Sequence, residues 1–231
     1  DDKAVLVGKG QNESPLPRAL VSDPKKLSLN YEFVDLGYGR ITGRHCRFIG
    51  IKPKDGYRYG YRICIDKTSG LPLKSELVDE NGAAIEQVMF TRLIVGELID
   101  DSLLVSKVDA TNFKWLVQNE SKPGAGLAAR RWVAKEVPPG FEIPPNGVQI
   151  IGEGENAADH VIFSDGLASV SVFAEPSDAS KAGLEGLSNI GAVNAFGTRV
   201  GNHNITVVGE VPSATVELIA RSIEFVATDQ P

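Results

Sequence analysis

The sequence predicts a mostly β protein of the α+β class, and three observations carry that prediction. Apolar-rich runs of strand length are divided by turn signals through most of the front half. The dipeptide Asn81-Gly82, which tolerates the positive φ values of a type I′ turn, sits between two such runs. A clear helical spacing of apolar residues appears only near the end, from Ser213 to about Val226.

Taken in order, Asp1-Asp2-Lys3-Ala4-Val5-Leu6-Val7 reads as a strand entered midway. A processed signal peptide, a truncation or further leading residues are therefore expected upstream. Residues 10–28 are polar and Pro-rich, a loop with one short turn of helix. Strands follow at Asn30 to Leu36, Arg40 to Ile51 and Tyr57 to Asp66, separated by Gly37-Tyr38-Gly39 and the Asp55-Gly56 turn. Lys67-Thr68-Ser69-Gly70 then turns the chain into a hairpin centred on Asn81-Gly82. That centring sets Leu73 opposite Phe90, Ser75 opposite Val88 and Leu77 opposite Glu86 on a greasy face, with Lys74, Glu76 and Gln87 on the wet one. The result is a meander of at least five strands up to Leu98, compatible with an open barrel.

Beyond residue 100 the alternation stops, and Lys122-Pro123-Gly124-Ala125-Gly126 has the composition of a flexible joint. The expected organisation is a front domain at 1–108, a linker at 109–130 and a second domain at 131–231. In the second, Arg131 to Val137 reads as a strand, and the pairs Pro138-Pro139 and Pro144-Pro145 suit a sheet edge. His160 to Ala174 forms a hairpin around Asp165-Gly166, pairing Phe163 with Ala168 and Val161 with Val170, while His160, Ser169 and Ser171 look outward. Asn194 to Val200 and His203 to Val208 make another pair joined at Gly201-Asn202. The closing helix is capped by Ser213, lines Val216, Ile219, Ala220, Ile223 and Val226 along one face, and pairs Glu217 with Arg221 on the other. Helix on antiparallel sheet makes this domain α+β.

A net charge of −6 over 231 residues argues against nucleic acid, which calls for a clustered positive surface. No apolar run reaches the roughly 18 residues of a membrane span. Cys46 and Cys64 each lie nine positions from Asp55, so a symmetric hairpin would bring them face to face. They read either as a disulfide, which needs an oxidising compartment, or as two buried free thiols. His45, His160 and His203 show no metal-binding spacing, and neither a GxSxG elbow nor a P-loop is present. Gly124 to Ala129 matches GxGxxA but follows no apolar strand, so it carries no dinucleotide fingerprint. Neither a catalytic constellation nor a cofactor is expected. Tyr57, Tyr59 and Tyr61 alternate with Arg58 and Arg62, which puts three phenol rings on one face of a strand. That face is either ordinary aromatic core or, with Ile63, Leu73, Leu77 and Phe90, the lining of a concave site for an apolar ligand.

At these residues the chain resembles a family. Arg58-Tyr59-Gly60-Tyr61-Arg62, the run Asp66-Lys67 to Gly70-Leu71-Pro72-Leu73-Lys74-Ser75, the Gly43-Arg44 step, Pro139-Gly140-Phe141, His160 to Phe163 and Asp165-Gly166 are all similar to the MucB/RseB family. The resemblance covers essentially the whole chain. It implies an N-terminal domain like the lipoprotein carrier LolA, an unclosed β-barrel cupping an apolar cavity, followed by a small α+β domain. It also implies a periplasmic regulator of an envelope-stress or alginate sigma factor. Such a protein binds the periplasmic part of a MucA- or RseA-like anti-sigma factor, shields it from proteolysis and lets go on meeting lipid or lipopolysaccharide fragments. Relative to that pattern the leading strands of the first domain and the signal peptide are absent.

The candidate lipid-binding residues are then Phe48, Tyr59, Tyr61, Ile63, Leu73, Leu77, Val88 and Phe90, and the candidate partner-binding residues are Arg58, Arg62, Phe141, Ile143 and Phe173. Periplasmic export would also favour the Cys46–Cys64 bridge. A carrier that ferries acyl chains in the same cup is the competing reading, and self-association is left open.

Overall fold

The computed structural model describes residues 4–8, 23–96, 98–105, 114–118, 132–152, 157–177 and 183–226. Among these, β1 (Ala4–Gly8) pairs in parallel with β7 (Lys114–Gln118). The front half is built on α1 (Pro24–Asn30) and five strands: β2 (Tyr31–Ile41), β3 (Arg44–Pro53), β4 (Gly60–Asp66), β5 (Pro72–Val78) and β6 (Ala84–Met89). They form an antiparallel meander in sequence order, open at both edges.

The back half contains β8 (Trp132–Ala134), β9 (Val148–Ile151), β10 (Ala158–Ser164), β11 (Ser169–Pro176), β12 (Gly186–Ile190), β13 (Val193–Val200) and β14 (His203–Gly209), then α2 (Ser213–Ser222) and β15 (Ile223–Phe225). Six of these strands make one sheet in the order β12-β13-β14-β11-β10-β9, and β15 pairs with β8. Val216, Ile219 and Ala220 of α2 pack on Val170, Val172, Ile205 and Val207, so the back core lies between the helix and one face of the sheet. The Glu217–Arg221 pair forms at 2.6 Å on the solvent side.

Several local features depart from the sequence reading, each for a physical reason. Gly37-Tyr38-Gly39 does not separate two strands. It is a bulge inside β2, with Gly37 at φ 88°, and the chain reverses instead at Thr42-Gly43, both with positive φ. That two-residue loop is the I′-like turn, with the β-branched Thr42 at φ 48°.

At Asn81-Gly82 only Gly82 has positive φ. Asp79 accepts the Asn81 and Ala83 amides on its side chain and the Gly82 amide on its carbonyl, which makes a longer loop with a bulge at Leu77/Val78. The register beyond it is nonetheless the expected one, with Ser75 opposite Val88 and Leu77 opposite Glu86.

Strand β4 starts at Gly60, so Tyr57 and Tyr59 precede it and the three phenols do not share one strand face. The last helix begins after Pro212, with no side-chain cap from Ser213, and stops at Ser222 because Ile223 turns extended to pair with Ala134. Val226 lies outside it and is exposed. Of the expected Arg131 to Val137 strand, Trp132–Ala134 is strand among the described residues, and β9 and β12 form where no strand was expected. The expected joint at 122–126 and most of the 10–28 loop lie outside the described residues.

Candidate functional site

The loop between β3 and β4 organises the meeting of the two halves. Asp55 accepts the Tyr57 amide at 3.0 Å, an Asx turn that lifts Tyr57, Arg58 and Tyr59 off the sheet. Arg58 is thereby driven into the back half with its side chain fully buried. Its guanidinium donates to Asp165 Oδ2 at 2.8 Å and to the Pro139 carbonyl at 2.6 Å, and contacts Asp55 at 3.2 Å. The rings of Tyr31 and Phe141 lie against it, with centroids at 5.5 and 5.1 Å. A buried cation is tolerated only when paired and hydrogen-bonded, and these contacts supply both conditions.

Asp165 is the counterpart in the β10–β11 turn. Its Oδ1 accepts the Leu167 and Ala168 amides at 2.9 and 2.7 Å, while Oδ2 takes Arg58 and the Tyr31 hydroxyl at 2.8 Å each. Burial, then the Asp165 charge and the hydrogen bond to it, push the Tyr31 phenol far up, so it remains a donor. Two more bonds join the halves. The buried Thr215 hydroxyl donates to the Tyr57 carbonyl, and Asn194 Nδ2 donates to the Tyr59 hydroxyl at 3.1 Å and the Val211 carbonyl at 2.8 Å. Leu167 completes the apolar contact by entering the cluster of Leu27, Tyr31, Ile51 and Ile63. Beside it, burial and then the charges of Glu210, Asp165 and Glu86 raise the Tyr61 phenol. Burial and the nearby Glu86 raise the Glu210 carboxyl.

The eight residues read as an apolar lining fall on two faces of the front sheet. Tyr61, Ile63, Leu77 and Val88 share the face that meets the back half. Leu73 and Phe48 lie on the other, packed around the Cys46–Cys64 disulfide with Ile41 and Leu93. A bulge between Cys64/Ile65 and Pro72/Lys74 sends Leu73 there. Phe48 fits because Gly39 beside it has no Cβ to strike the ring. Tyr59 is at the junction, and Phe90 is half-exposed just past β6.

The cysteines are diagonal neighbours, since Cys46 pairs with Asp66 and Cys64 with Phe48, and their Cα atoms are 5.5 Å apart. Next to the bridge, Arg44 and Ser69 bind Asp66, Arg44 at 2.7 Å, and hold its carboxyl well below the usual range.

The five residues read as partner-binding are likewise dispersed. Arg58 and Phe141 are buried in the junction, so a partner would reach them only if the halves parted. Arg62 is tied to Glu76 at 2.7 Å on the adjacent strand, and Ile143 is exposed at the Pro-rich segment. Phe173 stacks on His160, ring centroids 4.4 Å apart, on the sheet face away from α2. His160 points to that face as expected but is buried there, and with both ring nitrogens unpartnered its pKa is lowered by burial.

Past β6 the chain exposes a run of large apolar side chains, including Ile94, Val95, Leu98, Ile99, Leu103 and Leu104. Exposed apolar side chains in such number are candidates for a ligand or partner surface. Composition singled out none of these, because their run has neither strand nor helix period. Tyr31, Asn194, Asp165 and Thr215 were equally inconspicuous. Only Asp165 carried a signal, its place in an Asp-Gly turn. Among the described residues no group of three or more His, Cys, Asp or Glu could hold a metal ion, and no helix is long and apolar enough to cross a membrane.

Comparison with known proteins places this arrangement. Residues 1–111 match the model of the MucB/RseB N-terminal domain and residues 127–224 that of the MucB/RseB C-terminal domain. The sigma factor AlgU regulatory protein MucB of Pseudomonas aeruginosa is 31% identical over 212 residues, 90% of this chain and 65% of that protein. The sigma-E factor regulatory protein RseB of Haemophilus influenzae is 29% identical over 226 residues, 96% of this chain and 69% of its own length. The chain thus spans about two thirds of the curated relatives it matches. The crystal structure of MucB in complex with MucA(peri) aligns with a TM-score of 0.71 at 28% identity, over 91% of this chain and 73% of that one. The complex structure of Pseudomonas aeruginosa MucA/MucB gives 0.69, also at 28% identity, over 93% and 74%.

Proposed function

This chain belongs to the MucB/RseB family, and from that premise we propose that it is a periplasmic regulator that holds the periplasmic segment of a MucA- or RseA-like anti-sigma factor. It shields that segment from proteolysis and lets go when lipid or a lipopolysaccharide fragment binds. No chemical step is assigned to it; it acts by holding and releasing. The observation that carries this reading is the likeness to MucB solved with MucA(peri), which runs through both halves of the chain.

The lipid arm of the proposal rests on the exposed apolar side chains that follow β6, among them Ile94, Val95, Leu98, Ile99, Leu103 and Leu104. The disulfide-bonded cysteines suit an oxidising compartment. We place the front, lipid-sensing domain at 1–108, the connection at 109–130 and the partner-binding domain at 131–231. In the second, the exposed Ile143 and the edge strands β9 and β12 are the surfaces an extended peptide could join.

The test is capture of the anti-sigma periplasmic segment by the immobilised chain, repeated with increasing amphiphile. Capture that falls as lipid is added supports both arms. Capture unchanged at saturating lipid removes the release arm, and no capture in its absence removes the reading altogether.

A further inference from the structure

We infer that the loop from Asp55 to Tyr59 is a releasable latch between the two halves, in which Arg58 trades the back-half carboxylate Asp165 for the front-half carboxylate Asp55 when the halves part. Among the described residues five polar bonds span the halves, and four of them originate in this short loop. The loop belongs to neither sheet, so it can move without breaking a strand pair. Apolar side chains around it are Leu167, seated in a front-half cluster, and Phe141, whose ring lies against Arg58.

An ordinary buried ion pair resists separation because parting leaves both charges orphaned in a dry place. Here neither charge would be orphaned. Asp55 Oδ2 already lies 3.2 Å from Arg58 Nη2, and its side chain is 26% exposed while those of Arg58 and Asp165 are fully buried. A withdrawing guanidinium therefore moves toward a carboxylate carried on its own loop. Asp165 keeps the Leu167 and Ala168 amides on Oδ1 and presents Oδ2 to water. Arg58 is on this account a positioning residue for the junction, whatever the molecule binds.

The two carboxylates then have opposite roles, and that is testable in the full chain. Spin labels at Thr68→Cys and Ser188→Cys, both exposed, report the distance between halves by pulsed electron resonance, and amide exchange across 57–59 reports opening of the loop. Asp165→Asn is expected to broaden the distance distribution and raise exchange roughly tenfold or more. Asp55→Asn keeps an oxygen for the Tyr57 amide but removes the waiting charge. It is expected to slow exchange severalfold below wild type and narrow the distances. If Asp165→Asn does not fold, Thr215→Val, which removes one latch bond and no charge, is expected to raise exchange instead. A fixed rivet predicts that both carboxylate variants loosen the junction, so loosening by Asp55→Asn overturns the latch. Wild-type exchange in Asp165→Asn, or in Thr215→Val where it stands in, overturns it too.

Discussion

Replacing Thr215 with valine isolates one bond between the halves. Thr215 is fully buried in the first turn of α2, and its hydroxyl donates to the Tyr57 carbonyl. Valine has nearly the same shape and helix propensity, so the change opens no cavity and leaves the helix intact. It strips the part-buried Tyr57 carbonyl of its partner, and an acceptor left unsatisfied away from water costs about 1–3 kcal/mol. Serine is the matching control, because it keeps the hydroxyl and loses a methyl group worth about 0.8 kcal/mol plus a small cavity. Valine should therefore be the more destabilising substitution. For a chain of this length the valine variant should lose about 2–12 °C in Tm by scanning calorimetry, at roughly 2–4 °C per kcal/mol. The reverse order, serine below valine, would refute the claim that the hydroxyl rather than the methyl fastens the helix to the loop.

Three further outcomes follow from the geometry. The Cys46–Cys64 bridge closes a loop with a sequence separation of 18, so replacing both cysteines by alanine should cost about 3 kcal/mol in urea unfolding under non-reducing conditions. Glu210 has a folded pKa raised by burial and by Glu86, so its protonated form stabilises the fold at acid pH, and that contribution is lost as pH rises through the raised value. Glu210→Gln should then melt higher than wild type at pH 7, by an amount on the order of 0.5 kcal/mol, with the gap closing on acidification. Asp66 behaves in the opposite sense. Its pKa is depressed by Arg44 and Ser69, so its contribution is present above the normal carboxylate range and fades as pH falls through the depressed value. Asp66→Asn should abolish that part of the acid sensitivity in a pH series of melting curves.

Strand parity was legible in the sequence wherever one face of a strand is apolar. That is why Ser75 meets Val88 as the hairpin pattern requires, although the turn itself is not the one Asn-Gly suggests. Turn geometry was less legible, because side chains compete with the backbone: the Asp79 carboxylate gathers two amides and lengthens the loop.

Registers that depend on distant partners were not legible at all. The cysteines sit diagonally rather than face to face because strand pairing of β3 with β4 is centred one position further along than symmetry about Asp55 implies. Phe163 pairs with Val170 and not Ala168 because Asp165 ties down the amides of Leu167 and Ala168. At the second place the same aspartate also reaches the front half, through Arg58 and Tyr31. The same holds for the site. A sequence shows Arg58 as one of two alternating cations, and nothing in its neighbours announces a carboxylate more than a hundred positions away.

Leu167 has a role that its position at a hairpin tip conceals. It is the plug for a socket whose walls, Leu27, Tyr31, Ile51 and Ile63, all belong to the other half of the molecule. The back half keeps its own core between α2 and the sheet, but cutting the chain in two would leave the front piece with an unfilled hole facing water and the back piece with a bare leucine. One side chain of the back half is an internal part of the front, and parting the halves would uncover it.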